Sequence, residues 1–191
     1  PAPGNGVIDG DVFLGGGGDP VLSEQWYTQQ ATSRKRPPTH TTSVEALADA
    51  MVAAGVTQIT GRVLGDGSRY DDERYPPGWA DDIRVSFDGG AIGALVINDS
   101  RSPSDAQSSN PASSAAAAFL GLLDQRGIAV AGGSGDGAAP VGASVLAGGQ
   151  PAPLSEIVND PRATGAPLTA APPRRLCARL SPPQADQTSP P

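Results

Sequence analysis

A serine hydroxyl is a poor nucleophile until a neighbouring base takes its proton, so lysine and histidine decide where hydrolytic chemistry is possible. The 191-residue chain has one of each, Lys35 and His40. A Ser-x-x-Lys pairing needs serine at position 32, which is Thr32, and Lys35 is followed by Arg36 rather than by the Thr-Gly of a Lys-Thr-Gly motif. His40 stands in Pro-Pro-Thr-His-Thr-Thr, and no Gly-x-Ser-x-Gly elbow exists to serve a Ser-His-Asp triad. The nearest string, Gly132-Gly133-Ser134-Gly135, has the wrong spacing. Ser108-Ser109-Asn110 fits Ser-x-Asn in letters, but Asn110 before Pro111 reads as a helix cap. No catalytic residue is assigned.

Other ligand chemistries fare no better. Gly15-Gly16-Gly17-Gly18 resembles a phosphate cradle only until Asp19-Pro20, which adds a negative charge and removes an amide donor. Asp66, Ser68, Tyr70, Asp71, Asp72 and Glu73 are spaced loosely like a calcium loop, without its central glycine and distal glutamate. Cys177 has no second cysteine to bridge and no metal-ligand neighbours. Neither a metal nor a cofactor is expected. Tyr70, Tyr75 and Trp79 are candidates for an aromatic contact surface, with folding over the sheet edge as the competing expectation.

Charge narrows the partners. The formal net charge is −7, from 13 basic and 20 acidic residues, and the one basic run, Arg34-Lys35-Arg36, sits in a polar loop. Nucleic-acid binding, which needs clustered cations, is not expected. No stretch is long and apolar enough to cross a membrane, and no signal peptide is present in the chain.

The elements that must position any site are those of a mixed α/β fold. Val7–Leu14 reads as a strand or hairpin around Asp9-Gly10, and Asp19-Pro20 opens a short helix through Trp26 and Tyr27. Gln29–Thr41 reads as a loop. Thr42 and Glu45 have capping-box spacing for a helix from Ser43 to Ala54, with Val44, Leu47, Ala48, Met51 and Val52 as its apolar stripe and Gly55 as its stop. A strand over Val56–Leu64 follows, then a polar loop from Gly65 to Asp82. Ala91–Asn98 is the most apolar strand candidate. Asn110 and Pro111 open a helix whose buried stripe is Ala115, Phe119, Leu122 and Leu123, ended by Gly127 ahead of a strand with Ile128 and Val130. Ser144–Leu146 is a further strand, and Pro153–Val158 starts a helix.

From Asn159 the character changes. The last 33 residues hold eight prolines and four arginines but no Val, Ile or aromatic residue. So little apolar area cannot offset chain ordering, so residues 159–191 are expected to be disordered, and a cut after Val158 to be neutral. The change of character is what a frame change or truncation in the coding sequence would produce. The chain therefore divides into 1–158 and this tail.

Seven segments, in order, resemble the penicillin-binding D-alanyl-D-alanine carboxypeptidase/endopeptidase family, serine enzymes with inserted domains. They are Gly10–Ser23 (GDVFLGGGGDPVLS), the helix Leu47–Gly55, Val56–Val63 (VTQITGRV) and Asp66–Asp71 (DGSRYD) with Pro76-Pro77-Gly78-Trp79. Gly90–Asp99 (GAIGALVIND), the helix before Gly127-Ile128-Ala129-Val130, and Ala152–Val158 (APLSEIV) complete the series. The resemblance places residues 1–158 between the family's first and second active-site motifs, as part of a transpeptidase-like domain plus an inserted region. It implies a parent enzyme acting on peptidoglycan stem peptides outside the cytoplasmic membrane, through an acyl-serine and without cofactor or metal. Because Ser-x-x-Lys, the true Ser-x-Asn and Lys-Thr-Gly are missing, this chain alone is expected to be inactive. The alternative is a non-catalytic wall- or partner-binding module.

Overall fold

Three β-strands, each broken by a bend, lie side by side and parallel, and everything else is built around them. The computed structural model describes residues 4–33, 40–82, 90–149 and 176–180. The first bent strand is β1 (Val7–Ile8) with β2 (Val12–Gly15). After β3 (Leu22–Ser23), α1 (Gln25–Ser33), β4 (Thr42–Ser43) and α2 (Val44–Ala53) comes the second, β5 (Gln58–Ile59) with β6 (Val63–Asp66). A 3-10 turn (Asn98–Ser100) and α3 (Pro111–Gln125) lead to the third, β7 (Ala129–Val130) with β8 (Ser134–Asp136). Register runs Ile8 to Ile59 to Val130 in one half and Val12 to Val63 to Ser134 in the other. Two consecutive strand–helix–strand crossovers explain the parallel order, since parallel neighbours need a long return path. The fold is mixed α/β.

Val7–Leu14 is thus not a hairpin. Its two short strands pair in parallel with β5 and β6, because Gly10 (φ 108) bends the chain between them without reversing it. Val56–Leu64 is likewise two strands, with Thr60-Gly61-Arg62 at the matching bend. A Cβ on Gly61 would stand 2.4 Å from the Gly10 carbonyl carbon, so the two bends nest only because position 61 is glycine.

Helices α2 and α3 pack together on one face of the sheet. Val12, Leu14, Ile59 and Val63 from the strands meet Leu47, Met51, Phe119 and Leu123 from the helices in one buried cluster. The alternate residues Phe13 and Leu64 are buried on the opposite face, as a period of two requires. The predicted stripes of both helices are buried, apart from Val52, which is 45% exposed. The cap of α2 falls one residue later than the capping box suggests. Ser43 Oγ accepts the Ala46 amide and donates to Glu45, while Thr42 lies in β4. Asn110 caps α3 as expected, accepting the Ser113 amide at 3.0 Å, with Pro111 in the first turn. Gly55 (φ 81) and Gly127 (φ 76) stop α2 and α3 in the left-handed conformation.

Two further expectations change. The loop expected over Gln29–Thr41 is helical as far as Ser33, because Tyr27 and Ala31 bury one side of α1. Ala91–Asn98 is not a strand. Its Ala91, Ala94, Leu95 and Ile97 are all buried, but the segment crosses the end of β2 instead of pairing along it, and the Ala94 carbonyl accepts the Gly18 amide at 2.8 Å. Burial made it apolar; period-two pairing did not.

β9 (Ser144–Gly149) and β10 (Leu176–Leu180) extend the sheet on the side of β2, giving the order β8-β6-β2-β10-β9. β10 runs antiparallel to both neighbours, with Cys177 opposite Gly15 and Gly148. These five residues are an ordered exception to the expectation for the tail. The rest of 159–191, and the helix start expected at Pro153–Val158, lie outside the described residues.

Two outcomes follow from this packing. A Cβ on Gly65 would lie 2.0 Å from the Ala112 carbonyl oxygen, whereas one on Gly67 would meet only the Ala112 Cβ at 3.4 Å. Chemical denaturation should show Gly65→Ala losing about 1–3 kcal/mol or more by overpacking, with Gly67→Ala near neutral; equal losses would contradict this contact. Truncation after Val158 removes the strand between β2 and β9, so thermal melting should show a lower midpoint than the full chain. An unchanged midpoint would mean that β10 adds nothing to the sheet.

Candidate functional site

The crevice where open α/β sheets hold ligands lies beyond the carboxyl ends of parallel strands. Here those ends carry the Gly15–Gly18 loop and Asp66, both weighed for ligand binding in the sequence, together with Asp136. Protein fills the space. A Cβ on Gly16 would sit 2.2 Å from the Ala94 carbonyl oxygen, and one on Gly18 (φ 82) 2.7 Å from the Tyr70 hydroxyl. The glycines admit the chain's own backbone and an aromatic ring, and Asp19 Oδ1 accepts the Val21 amide at 3.0 Å. The glycine run is a packed turn.

The acidic loop is arranged as turn caps. Asp66 Oδ1 accepts the amide and hydroxyl of Ser68, and its Oδ2 accepts the Ala139 amide. Asp71 accepts the Glu73 amide, and Asp72 pairs with Arg74 at 3.0 Å. Among the described residues, no cluster of three metal-ligating side chains occurs. Tyr70, Tyr75 and Trp79 are all half-buried, and Arg69 lies over the Tyr70 ring, 5.7 Å from its centre.

The residues weighed for nucleophilic chemistry are dispersed. His40 is half-buried just before β4, and Ser134 is in β8, where its carbonyl accepts from Arg62. Ser108 Oγ accepts the Asn110 amide and donates to the Asn110 carbonyl, and Asn110 Nδ2 donates to Asp136. Ser108 and Asn110 therefore shape the start of α3. Lys35 lies outside the described residues. Thr32 belongs to α1.

The most tightly specified polar cluster was not marked by any motif. Asn98, Asp99 and Ser100 are three consecutive non-glycine residues with positive φ (56, 58 for the outer pair, 52 for Asp99). Each such residue costs on the order of 1–2 kcal/mol, so the surroundings must hold the turn in place. They do so from α1. Asn98 Oδ1 accepts the Glu24 amide at 2.8 Å while Asn98 Nδ2 donates to Glu24 Oε2 at 2.6 Å. Trp26 Nε1 donates to the same Glu24 oxygen at 2.9 Å, Tyr27 Oη donates to Asp99, and Ser100 Oγ donates to the Ala91 carbonyl. Asn98 and Ser100 are buried, as is Tyr27. The one sequence signal was Asn-Asp after an apolar run, since these two residues tolerate the left-handed region best.

Beside this clamp an open cleft of about 370 Å³ lies between the amino ends of α1 and α2 and the carboxyl end of α3. Glu24, Gln25, Trp26, Glu45, Gln125 and Arg126 line it. Arg126 is fixed there by Asp49 at 2.6 Å and by the carbonyls of Leu122 and Glu45.

Residues 2–108, more than half of the chain, match the model of the D-Ala-D-Ala carboxypeptidase 3 (S13) family. The match spans the β1–β6 unit, α1, α2 and the clamped turn; the resemblance of residues beyond 108 lies outside it. No curated protein matches the chain. On this match, this chain belongs to the D-Ala-D-Ala carboxypeptidase 3 (S13) family.

Proposed function

We propose that this chain is a non-catalytic part of a serine-type D-alanyl-D-alanine carboxypeptidase, supplying fold and surface rather than chemistry. The observation that carries this reading is that the chain's only lysine, Lys35, has no serine three residues before it, so Ser-x-x-Lys is absent from a chain of this family. Without Ser-x-x-Lys no hydroxyl is activated to form an acyl-serine. The Ser108-x-Asn110 letters do not substitute for the family's second motif, because both side chains hold the entry to α3. The whole enzyme would act on peptidoglycan stem peptides outside the cytoplasmic membrane, and residues 1–158 would lie between its first and second active-site motifs. No helix among the described residues is long and apolar enough to cross a membrane. A wall-binding role for Tyr70, Tyr75 and Trp79 is the weaker alternative, since the Tyr70 hydroxyl packs over Gly18.

Labelling with a fluorescent penicillin tests the proposal, with an active family enzyme as positive control. The chain should give no covalent band while its circular dichroism shows a folded α/β protein. A band that survives denaturation and disappears on changing one serine would overturn the reading.

A further inference from the structure

The five-stranded sheet has two edges, and only one of them is guarded by charge. β8 forms one edge. It is three residues long, carries Asp136, and its Ser134 carbonyl already accepts from Arg62 at 3.0 Å. Short length and charge are common devices that stop an edge from pairing with another chain. β9 forms the other edge. It is six residues long and holds neither a charge nor a proline. Among the described residues its backbone pairs with β10 alone. Its one blunting feature is a register shift at Leu146, opposite the step from Ala178 to Arg179.

Apolar side chains gather at this same edge. Val52, Val141 and Val145 are the large hydrophobic residues exposed among the described residues, and two of the three are here. Val145 is 60% exposed within β9. Val141 stands clear of the protein in the turn leading into β9, which the Ala143 amide closes on the Pro140 carbonyl. Ala147 of the same strand is buried in the core cluster and β9 lies against α2, so the edge is held by the body of the fold. Charge is absent around it as well. Residues 137–155, nineteen in all, are the longest run without a charged side chain in a protein of net charge −7.

We propose that β9 is a dimerisation edge, at which the β9 of a second copy of this chain pairs antiparallel about a two-fold axis and continues the sheet. The outward amides and carbonyls of β9 are the groups such a strand bonds. A partner recognised by charge would need complementary charges on this edge, and it has none. Two acidic copies repel each other, and they meet with least repulsion where neither bears charge. Within β9 no register sets like charges opposite one another. Val141 and Val145 of both copies leave water together at the seam. Because the contact is isologous, each copy's edge is used once and the assembly closes at two. The assignment does not depend on the acyl-serine reading, because none of these residues belongs to that chemistry.

Sedimentation velocity of the full chain, from about 1 µM to about 1 mM, tests this. The mass should climb from the 19.1 kDa monomer to a plateau at twice that value. Val145→Lys sets like charges at the seam and should raise the dissociation constant about tenfold or more. Gln125→Lys adds the same charge at an exposed site on α3, which packs against β6 and β8, and should leave the constant unchanged. In the unmodified chain, amide exchange within Ser144–Gly149 should slow as concentration rises, while exchange within Ser134–Asp136 stays constant. That second readout needs no variant to fold. A monomer throughout the range, which would leave the edge to a strand of another protein, would overturn the proposal. So would growth past the dimer, equal weakening by both lysine changes, or exchange in β9 indifferent to concentration.

Discussion

Helix α3 begins so close to β6 that only a hydrogen atom fits between them. The Gly65 position has no room for a Cβ against the Ala112 carbonyl, and this contact sets how low α3 sits over the sheet. Parallel strands are marginal unless covered, and here α2 and α3 cover one face. With α3 at this depth, Phe119 and Leu123 become fully buried in one cluster with Val63, and α3 touches α2. Arg126 then ties the far end of α3 to Asp49 and to the Glu45 carbonyl of α2. Raise the helix, and the sheet loses its cover.

A second constraint acts at the end of β2. An apolar segment that pairs with no strand must still bury its backbone, and Ala91–Ile97 does so by giving the Ala94 carbonyl to Gly18 and turning sharply at Asn98. The left-handed turn is unfavourable by itself. It is tolerated because Asn98 satisfies both the Glu24 amide and the Glu24 carboxylate, joining residues 74 apart in sequence. The same bonds orient Trp26 and Glu24 toward the cleft. Strain in one loop thus supports a fixed arrangement of side chains in another.

What was legible in the sequence followed local rules. The caps at Asn110 and Gly127, the stripe through Phe119 and Leu123, and the α/β alternation all rest on short-range periodicity. Non-local facts were harder. Nothing within residues 7–14 reveals that Gly10 bends a strand rather than reversing it, because the answer lies in the nesting of Gly61 fifty-one residues later. Ala91–Asn98 reads as a strand because burial, not pairing, sets its composition. β10 was hidden by the prolines around it, which lower mean apolarity without preventing five residues from pairing. For the candidate site, the absence of Ser-x-x-Lys was plain in the letters, whereas the Glu24–Asn98 clamp needed three dimensions.

The order of this member of the D-Ala-D-Ala carboxypeptidase 3 (S13) family comes from a covered parallel sheet and a buried polar clamp. Amide hydrogen exchange of the isolated chain tests that claim most directly. Slow exchange should coincide at Leu14 and Val63 in the sheet, Phe119 and Leu123 in α3, and the Glu24 amide held by Asn98. Fast exchange at Glu24 and throughout β2 and β6 would contradict it, because neither the covered sheet nor the clamp would then hold the isolated chain in order.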